Sequence, residues 1–431
     1  MKKLKFLLPL LILALVFSCK DSKAKEDVVV EEEVTEEVAK ADPLADLPDW
    51  QYVGYKIVHH MTAQIKHVDE FGFNKFDHPR IANWESFVIT PALDHFYSKA
   101  VADLRQGPVV VNTPARDDRY SSLEVFDMEH HAIFAEVTGP EAQQYVIAHV
   151  DYKGELPEGK AVIRTNAMFP FVFIRTQSFE VTGEEKADQI RRQASIEGTV
   201  GEKDVVNLEN TTDIIKYVIA NNIPYPQTEA MMAEASKSYT PEVHAATFEN
   251  VKGFLASGGV SGNVGGFEAV DDPAGGSMKI RAALCLMGHL GFPVRHAYYQ
   301  QLPVNSEGVA LSGANGPFVL TLPNKPGVDL FWSITRYSFT TFLPLNPEDL
   351  GGNDIQAYNE FNTEPDENGN VTFTFSIEDP KDGTYWMPVT EGPYYIVSRY
   401  YGPAAALNGN TAKDIVYKGT PLEEKFKTVQ F

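Results

Sequence analysis

The sequence predicts a mainly β protein in which two β domains are joined by a helical connecting segment. Two groups of short strand-like runs, bounded by turn residues, flank a stretch whose apolar residues recur at helical spacing. With 431 residues, 43% hydrophobic and 22% charged, the chain has the composition of a folded protein of two or three domains.

The first residues belong to targeting rather than to the fold. Lys2, Lys3 and Lys5 precede an uncharged run from Phe6 to Phe17. That run is shorter than the roughly 20 apolar residues a bilayer span needs, and it has the size of a signal-peptide hydrophobic region. Val16-Phe17-Ser18-Cys19 closes it in the manner of a bacterial lipobox, with a small residue before the cysteine. Residues 1–18 are thus expected to be a lipoprotein signal peptide, with Cys19 the lipidated N-terminus holding the chain to a bilayer. Lys20 lacks the character of an inner-membrane retention residue, so the expected location is the outer membrane of the cell envelope. Lipidation of Cys19 would leave Cys285 alone, without an internal disulfide.

Residues 19–47 read as a disordered acidic tether. Between positions 20 and 49 there are eleven acidic residues, four lysines and no aromatic residue, so little apolar surface can offset the ordering entropy. This run accounts for only part of the net charge of −22, and the folded body is acidic too. Such a balance argues against a nucleic-acid binder, which needs clustered Lys and Arg for counterion release. It equally argues against attachment to anionic lipid by surface charge.

The first β domain is expected over 48–200. Tyr52, Tyr55, Ile57, Val58, Met61, Ile65 and Val68 open it at helical spacing, up to about Ala82. The period then changes. Strand-like runs cover Pro108–Pro114, Tyr120–Met128, Ala132–Val137, Gln144–Val150, Lys160–Thr165 and Phe171–Phe179, with turns such as Arg116–Arg119 and Pro157–Gly159 between them. The helical connecting segment follows over 201–305. One helix runs from Thr212 to Asn221 before Pro224. A second is capped by Thr240, has Pro241 at its first position and continues to Ser257, and a third runs from Ser277 to Leu290 before Gly291 and Pro293. The glycine-rich residues 257–276 lack the Gly-Lys-Ser/Thr ending of a phosphate loop. The second β domain, 306–431, holds runs at Phe318–Leu322, Leu330–Tyr337, Val371–Ile377, Tyr385–Val389 and Tyr394–Tyr401, with a hairpin-type turn at Glu367–Asn370.

Three stretches carry a family resemblance. The first comprises Pro91–Ser98 with Asp103-Leu104, Arg119-Tyr120, Asp127, Arg164, Arg175 and Gln177. The second is Leu311–Asn315 with Phe331–Thr335 and Tyr337; the third is Trp386-Met-Pro388 with Gly392-Pro393 and Arg399–Pro403. Their order and spacing over roughly residues 50–405 resemble bacterial exported proteins that pair domain of unknown function 1254 with domain of unknown function 1214. The resemblance implies two antiparallel β domains, the C-terminal one a jelly-roll-like sandwich, and brings no established reaction. Ala92 stands where the family usually has Asn, and His95 where it has a small hydroxyl residue.

Candidate chemistry centres on Asp94, His95 and Tyr97, the densest polar cluster beside a β segment. Asp94 can orient His95 or act as a base, and Tyr97 can donate to a developing anion. Arg119 and Asp127 are eight residues apart and are expected to approach across one sheet, and Arg175 is a further catalytic or ligand-binding candidate. The structural alternative is a buried ion-pair network, with a carboxylate held by Arg119, Arg164 or Arg175. Eight of eleven histidines lie between 59 and 149, but their spacing matches no metal motif, and core or solvated roles explain them. No metal and no cofactor is expected. Cys285 reads as a core thiol. In the last domain Trp332, Tyr337, Trp386 and Arg399 are candidates for stacking on a sugar or aromatic ligand, with strand-core packing the alternative. No Gly-x-Ser-x-Gly motif occurs. The reading is an envelope lipoprotein that captures a small molecule or glycan; the alternative is a hydrolase or lyase using Asp94, His95 and Tyr97 with Arg119. The oligomeric state stays open.

Overall fold

The computed structural model describes residues 50–256, 278–403 and 427–428, apart from 87, 160, 180–182, 227, 288–289, 294, 306–307 and 324–327. The segments expected to be a signal peptide and an acidic tether, with Cys19 between them, and the glycine-rich residues 257–276 lie outside the described residues.

Helix α1 (Trp50–Phe71) forms where apolar residues recur every three or four positions, burying Val53, Ile57, Met61, Ile65 and Val68. Strands β1 (His95–Val101), β2 (Val109–Thr113), β3 (Ser121–Phe126), β4 (Ala132–Val137), β5 (Gln143–His149), β6 (Ala161–Thr165) and β7 (Phe171–Gln177) follow, then helix α2 (Glu184–Arg191) and strand β8 (Ser195–Glu197). They make two four-stranded sheets, ordered β1-β7-β3-β4 and β6-β5-β2-β8. Alternate residues of both sheets, among them Val109, Val111, Leu123, Val125, Ile147, Val172 and Ile174, close a shared core. Each such fully buried aliphatic side chain contributes about 1.5–3 kcal/mol.

Four more helices follow: α3 (Thr211–Asn221), α4 (Glu229–Ser238), α5 (Pro241–Ala256) and α6 (Met278–Met287). Asn210 caps α3 by accepting from the backbone N–H groups of Thr212 and Asp213. These helices pack on α1, so the segment expected to connect two domains forms one helical layer with the first helix. Tyr55 of α1 meets Val251 of α5 and Ala282, Cys285 and Leu286 of α6 in one apolar cluster.

The C-terminal part comprises β9 (Ala297–Leu302), β10 (Phe318–Pro323), β11 (Val328–Ser338), β12 (Ala357–Asn359), β13 (Asn370–Ser376), β14 (Tyr385–Pro388), β15 (Tyr394–Pro403) and β16 (Lys427–Thr428). The sheets run β14-β13-β10-β16 and β12-β11-β15-β9. Strand β9 falls inside the segment expected to be helical, yet it pairs with β15 from Ala297–Tyr401 to Leu302–Ile396 and belongs to this sheet. Trp332, Ile334, Tyr394, Ile396 and Tyr400 face Phe318, Leu320, Phe373, Phe375 and Met387 across the sandwich core. The sheets are not purely antiparallel: β5 pairs with β6, β13 with β14, and β10 with β16 in parallel. Among the described residues no helix is long and apolar enough to cross a membrane.

Candidate functional site

Strand alternation sets which side chains leave the sandwich core. On β11 and β15, Trp332, Ile334, Tyr394, Ile396 and Tyr400 point into it. Their neighbours Ser333, Thr335, Tyr337, Val397, Arg399 and Tyr401 stand on the opposite face. That face packs on the N-terminal module: Tyr120 and Phe179 cluster with Phe292, Phe331 and Tyr401. In the facing sheet β1 pairs with β7, placing His95 beside Gln177 and Tyr97 beside Arg175.

Between the two faces lies a cavity of about 50 Å³, lined by His95, Tyr97 and Arg175 from the N-terminal module and by Tyr299, Arg399 and Tyr401 from the C-terminal one. Leu290 forms part of its wall and also of a larger neighbouring cleft of about 410 Å³ that carries His59, His60 and His67 of α1. Thr90 and Leu290, both on the inner wall, hold left-handed backbone angles with φ of 50° and 62°. Such conformations are costly for a β-branched or bulky residue and persist only where the surroundings enforce them.

Arg175 is buried and donates Nη1 to Glu124 Oε2 at 2.7 Å and Nη2 to the Leu290 carbonyl at 2.5 Å, with Phe173 and Phe292 stacked on its guanidinium. Burial pushes the Glu124 carboxyl up to about 8, against the pull of Arg175. Arg399 donates to Thr335 Oγ1 at 3.1 Å, to the Thr90 carbonyl at 2.9 Å and to the Tyr337 hydroxyl at 2.8 Å. Asp94 does not line the cavity. Its Oδ2 accepts from Ser333 Oγ at 2.6 Å and Tyr401 OH at 3.3 Å, while burial raises its pKa and the charge of Arg399 opposes that rise.

His95 is fully enclosed, and neither of its ring nitrogens has a hydrogen-bond partner among the described residues. Burial, then the charges of Arg175 and Arg399, hold its pKa well below the usual range, so the ring is neutral and offers one donor and one acceptor. Tyr97 and Tyr401 stay protonated because burial raises both phenols. The Tyr97 hydroxyl accepts from the Ala92 N–H at 2.9 Å, and the Tyr97 carbonyl is held by Arg191 at 3.0 Å. Gln301 adds a buried Oε1 to the wall, also without a partner among the described residues.

The fold thus gathers His95, Tyr97, Arg175 and Arg399, with Asp94 and Tyr337 one bond behind. It does not gather Arg119 and Asp127. Strand β3 separates them, leaving about eight residues at 3.3 Å each, roughly 26 Å, along the chain. Arg119 instead pairs with Asp117 at 2.6 Å. Asp127 accepts from the backbone of Glu129 and His131 and bonds the His131 ring at 3.0 Å. Nor does Asp94 pair with Arg119, Arg164 or Arg175.

The stacking expectation is corrected: Trp332 and Tyr337 are 0% exposed, the first inside the sandwich core and the second bonded to the Pro91 carbonyl. Arg399 is interior, and Trp386 sits half-buried on the other sheet, donating Nε1 to the Ser376 carbonyl. These side chains form no shared exposed face. His59 and His60 lie on α1 and His130 and His131 in a turn, rather than on strands. Among the described residues no group of three or more His, Cys, Asp or Glu side chains is placed to hold a metal ion. Tyr299, Gln301, Leu290 and Glu124 were not singled out from sequence; Tyr401, one of the aromatic residues crowding the last domain, shares a strand face with Arg399 because alternation puts both on one side.

Family models match two parts of the chain: the protein of unknown function model 1254 over residues 73–198, and 1214 over residues 296–405. The crystal structure of the VPA0106 protein from Vibrio parahaemolyticus superposes with a TM-score of 0.64 at 19% identity, covering 84% of this chain and 96% of that one. An uncharacterised protein from Burkholderia cenocepacia gives 0.45 at 15% identity, covering 85% and 88%. At these identities the first likeness shows the fold alone. No curated protein is significantly similar to the chain.

Proposed function

The chain belongs to the proteins that join domain of unknown function 1254 to domain of unknown function 1214, and from that premise we propose that it binds a small molecule in the cavity between the two modules. The observation carrying this reading is His95: a buried imidazole whose two nitrogens have no partner among the described residues, on the wall of a polar cavity to which both modules contribute. A buried polar atom without a partner costs about 1–3 kcal/mol, and a ligand that bonds it recovers that cost. The cavity suits a few heavy atoms, which argues against a sugar ring there. A hydrolase or lyase with Asp94 as base has less support, because Asp94 stands behind the wall with Ser333 and Tyr401 on its oxygen.

A thermal-shift screen of small polar compounds on the full chain tests the reading. Compounds that bind in the cavity should raise the melting temperature of the wild type and not of His95→Phe, whose ring fills the space without hydrogen-bonding. Stabilisation that survives His95→Phe in every case would refute it.

The basic start, the short apolar run and Ser18-Cys19 support a position in the cell envelope on a lipid anchor for this binding protein. Cys19→Ser should release the protein from the membrane fraction and abolish labelling by fatty acid. A variant that remains membrane-bound and labelled would overturn the anchor.

A further inference from the structure

We propose that the cavity between the modules takes a small organic anion, a short carboxylate of about four heavy atoms, with its charge toward Arg399 and Arg175. This rests on the binding reading above and adds the ligand's chemical class.

The wall supplies the first argument. Among the described residues it includes two arginines and neither an aspartate nor a glutamate. A buried guanidinium is ordinarily matched by an anion, since desolvating an unmatched charge is costly. Arg175 has Glu124 on one side, at 2.7 Å, and the second oxygen of that carboxyl has no hydrogen-bond partner among the described residues. Arg399 is held by a threonine hydroxyl, a carbonyl and a tyrosine hydroxyl, all neutral. Among the described residues no carboxylate oxygen bonds it. Its acidic neighbour Asp94 already accepts from Ser333 and Tyr401.

Size supplies the second. At about 10–15 Å³ for each water-sized group, a cavity of about 50 Å³ fits roughly three to five heavy atoms. Acetate and glycolate fall in that range. The third argument is the mixed character of the wall. Neutral His95 and Gln301 offer hydrogen bonds to an oxygen or hydroxyl, while Ala92, Leu290 and Val397 suit a methyl or methylene. A carboxylate on a short carbon stem uses both kinds of surface; inorganic phosphate would turn oxygens against the apolar part.

The test begins with the wild-type chain and adds two variants. Titration calorimetry of the full chain with acetate, acetamide and inorganic phosphate, at fixed ionic strength and pH 7, compares ligands of like size that differ in charge and shape. Charge-assisted bonds to guanidinium are about twice as strong as neutral ones, so acetate should bind at least about tenfold tighter than acetamide, with phosphate weaker than acetate. Arg399→Gln should erase the acetate preference, and His95→Phe should remove acetate binding altogether. Acetamide binding as tightly as acetate would overturn the anion class and leave the binding reading standing. Phosphate binding tighter than acetate would overturn the carboxylate class in favour of an inorganic oxyanion. If none of the three shows heat that depends on His95, and the compound screen above is also empty, both the class and the binding reading fall.

Discussion

Replacing Asp94 by asparagine separates a carboxylate that organises the cavity wall from one that directly neutralises a buried arginine. Asp94 is 1% exposed, takes its hydrogen bonds from Ser333 at 2.6 Å and Tyr401 at 3.3 Å, and feels Arg399 through space. Asparagine keeps the shape and one carbonyl oxygen, so it retains the Ser333 bond in one flip of the amide. What disappears is the charge that strengthens these bonds. Hydrogen bonds to charged groups contribute about 1.5–3 kcal/mol, which sets the expected loss. A guanidinium stranded by removal of its direct partner would cost about 3–5 kcal/mol instead. At about 1–2 °C per kcal/mol, the unfolding entropy scaled to a chain of this length, the melting temperature should fall by about 2–6 °C. The assay is thermal and urea unfolding of wild type, Asp94→Asn, Ser333→Ala and the double variant. The two sites touch, so their effects should couple by about 0.5–3 kcal/mol. Additive effects, or a loss beyond about 5 kcal/mol, would refute this assignment of Asp94's partners.

Glu124→Gln removes the direct carboxylate partner of Arg175, at 2.7 Å in a fully buried setting; because burial pushes that carboxyl up to about 8, the pair is ionic only above that pH, and the substitution should cost about 3–5 kcal/mol by urea unfolding at about pH 9, where a loss under about 1 kcal/mol would contradict the pair. Burial holds His59 neutral, its pKa pushed down to about 4, with the charge of His244 adding to that. A depressed folded-state pKa means the unfolded chain binds more protons between about 4 and 6.5, so this contribution is full above pH 6.5 and is lost as pH falls toward 4. The wild type should therefore lose stability faster than His59→Gln between pH 6.5 and 4; equal slopes in paired urea titrations would be the contrary result. Cys285 is fully buried with its thiol pushed up to about 12, so the native chain should resist aromatic disulfide reagents at pH 8 and react on unfolding, read by absorbance; rapid labelling of the folded protein would contradict its core position.

How far the sequence reveals this molecule depends on the range of the interactions involved. Helix α1, strands β2 to β7 and strands β10, β11 and β13 to β15 follow from local periodicity and turn signals, whereas β1 and the short β8 and β12 are not read as strands that way and are defined by their pairing with β7, β2 and β11. Helix α2 (Glu184–Arg191) lacks that cue: it is short and highly polar, fixed chiefly by Arg191 bonding the carbonyls of Pro79 and Tyr97. Strand β9 is defined by its pairing with β15, about a hundred residues away, and nothing local to Ala297–Leu302 distinguishes it from the helical segment before it. The same division runs through the site. His95 and Tyr97 stand out as neighbours on one strand face. That they meet Arg399, about three hundred positions later, is set by how two sheets face each other, which composition and spacing do not encode. The aromatic richness of the last domain was legible, but its direction was not: Trp332 and Tyr337, five residues apart, fall on opposite faces of β11 and both are interior. Arg119 and Asp127 show the converse error, since proximity in sequence becomes distance once a strand extends between them.

The most direct measurement is a crystal structure of the full chain grown at saturating acetate, refined at a resolution where ordered waters are visible. The account predicts a planar, non-water group between the modules, with one oxygen on the Arg399 or Arg175 guanidinium and another within hydrogen-bonding distance of His95. A cavity holding only waters under those conditions, or one closed by the side chains of Leu290 and Tyr401, would contradict it.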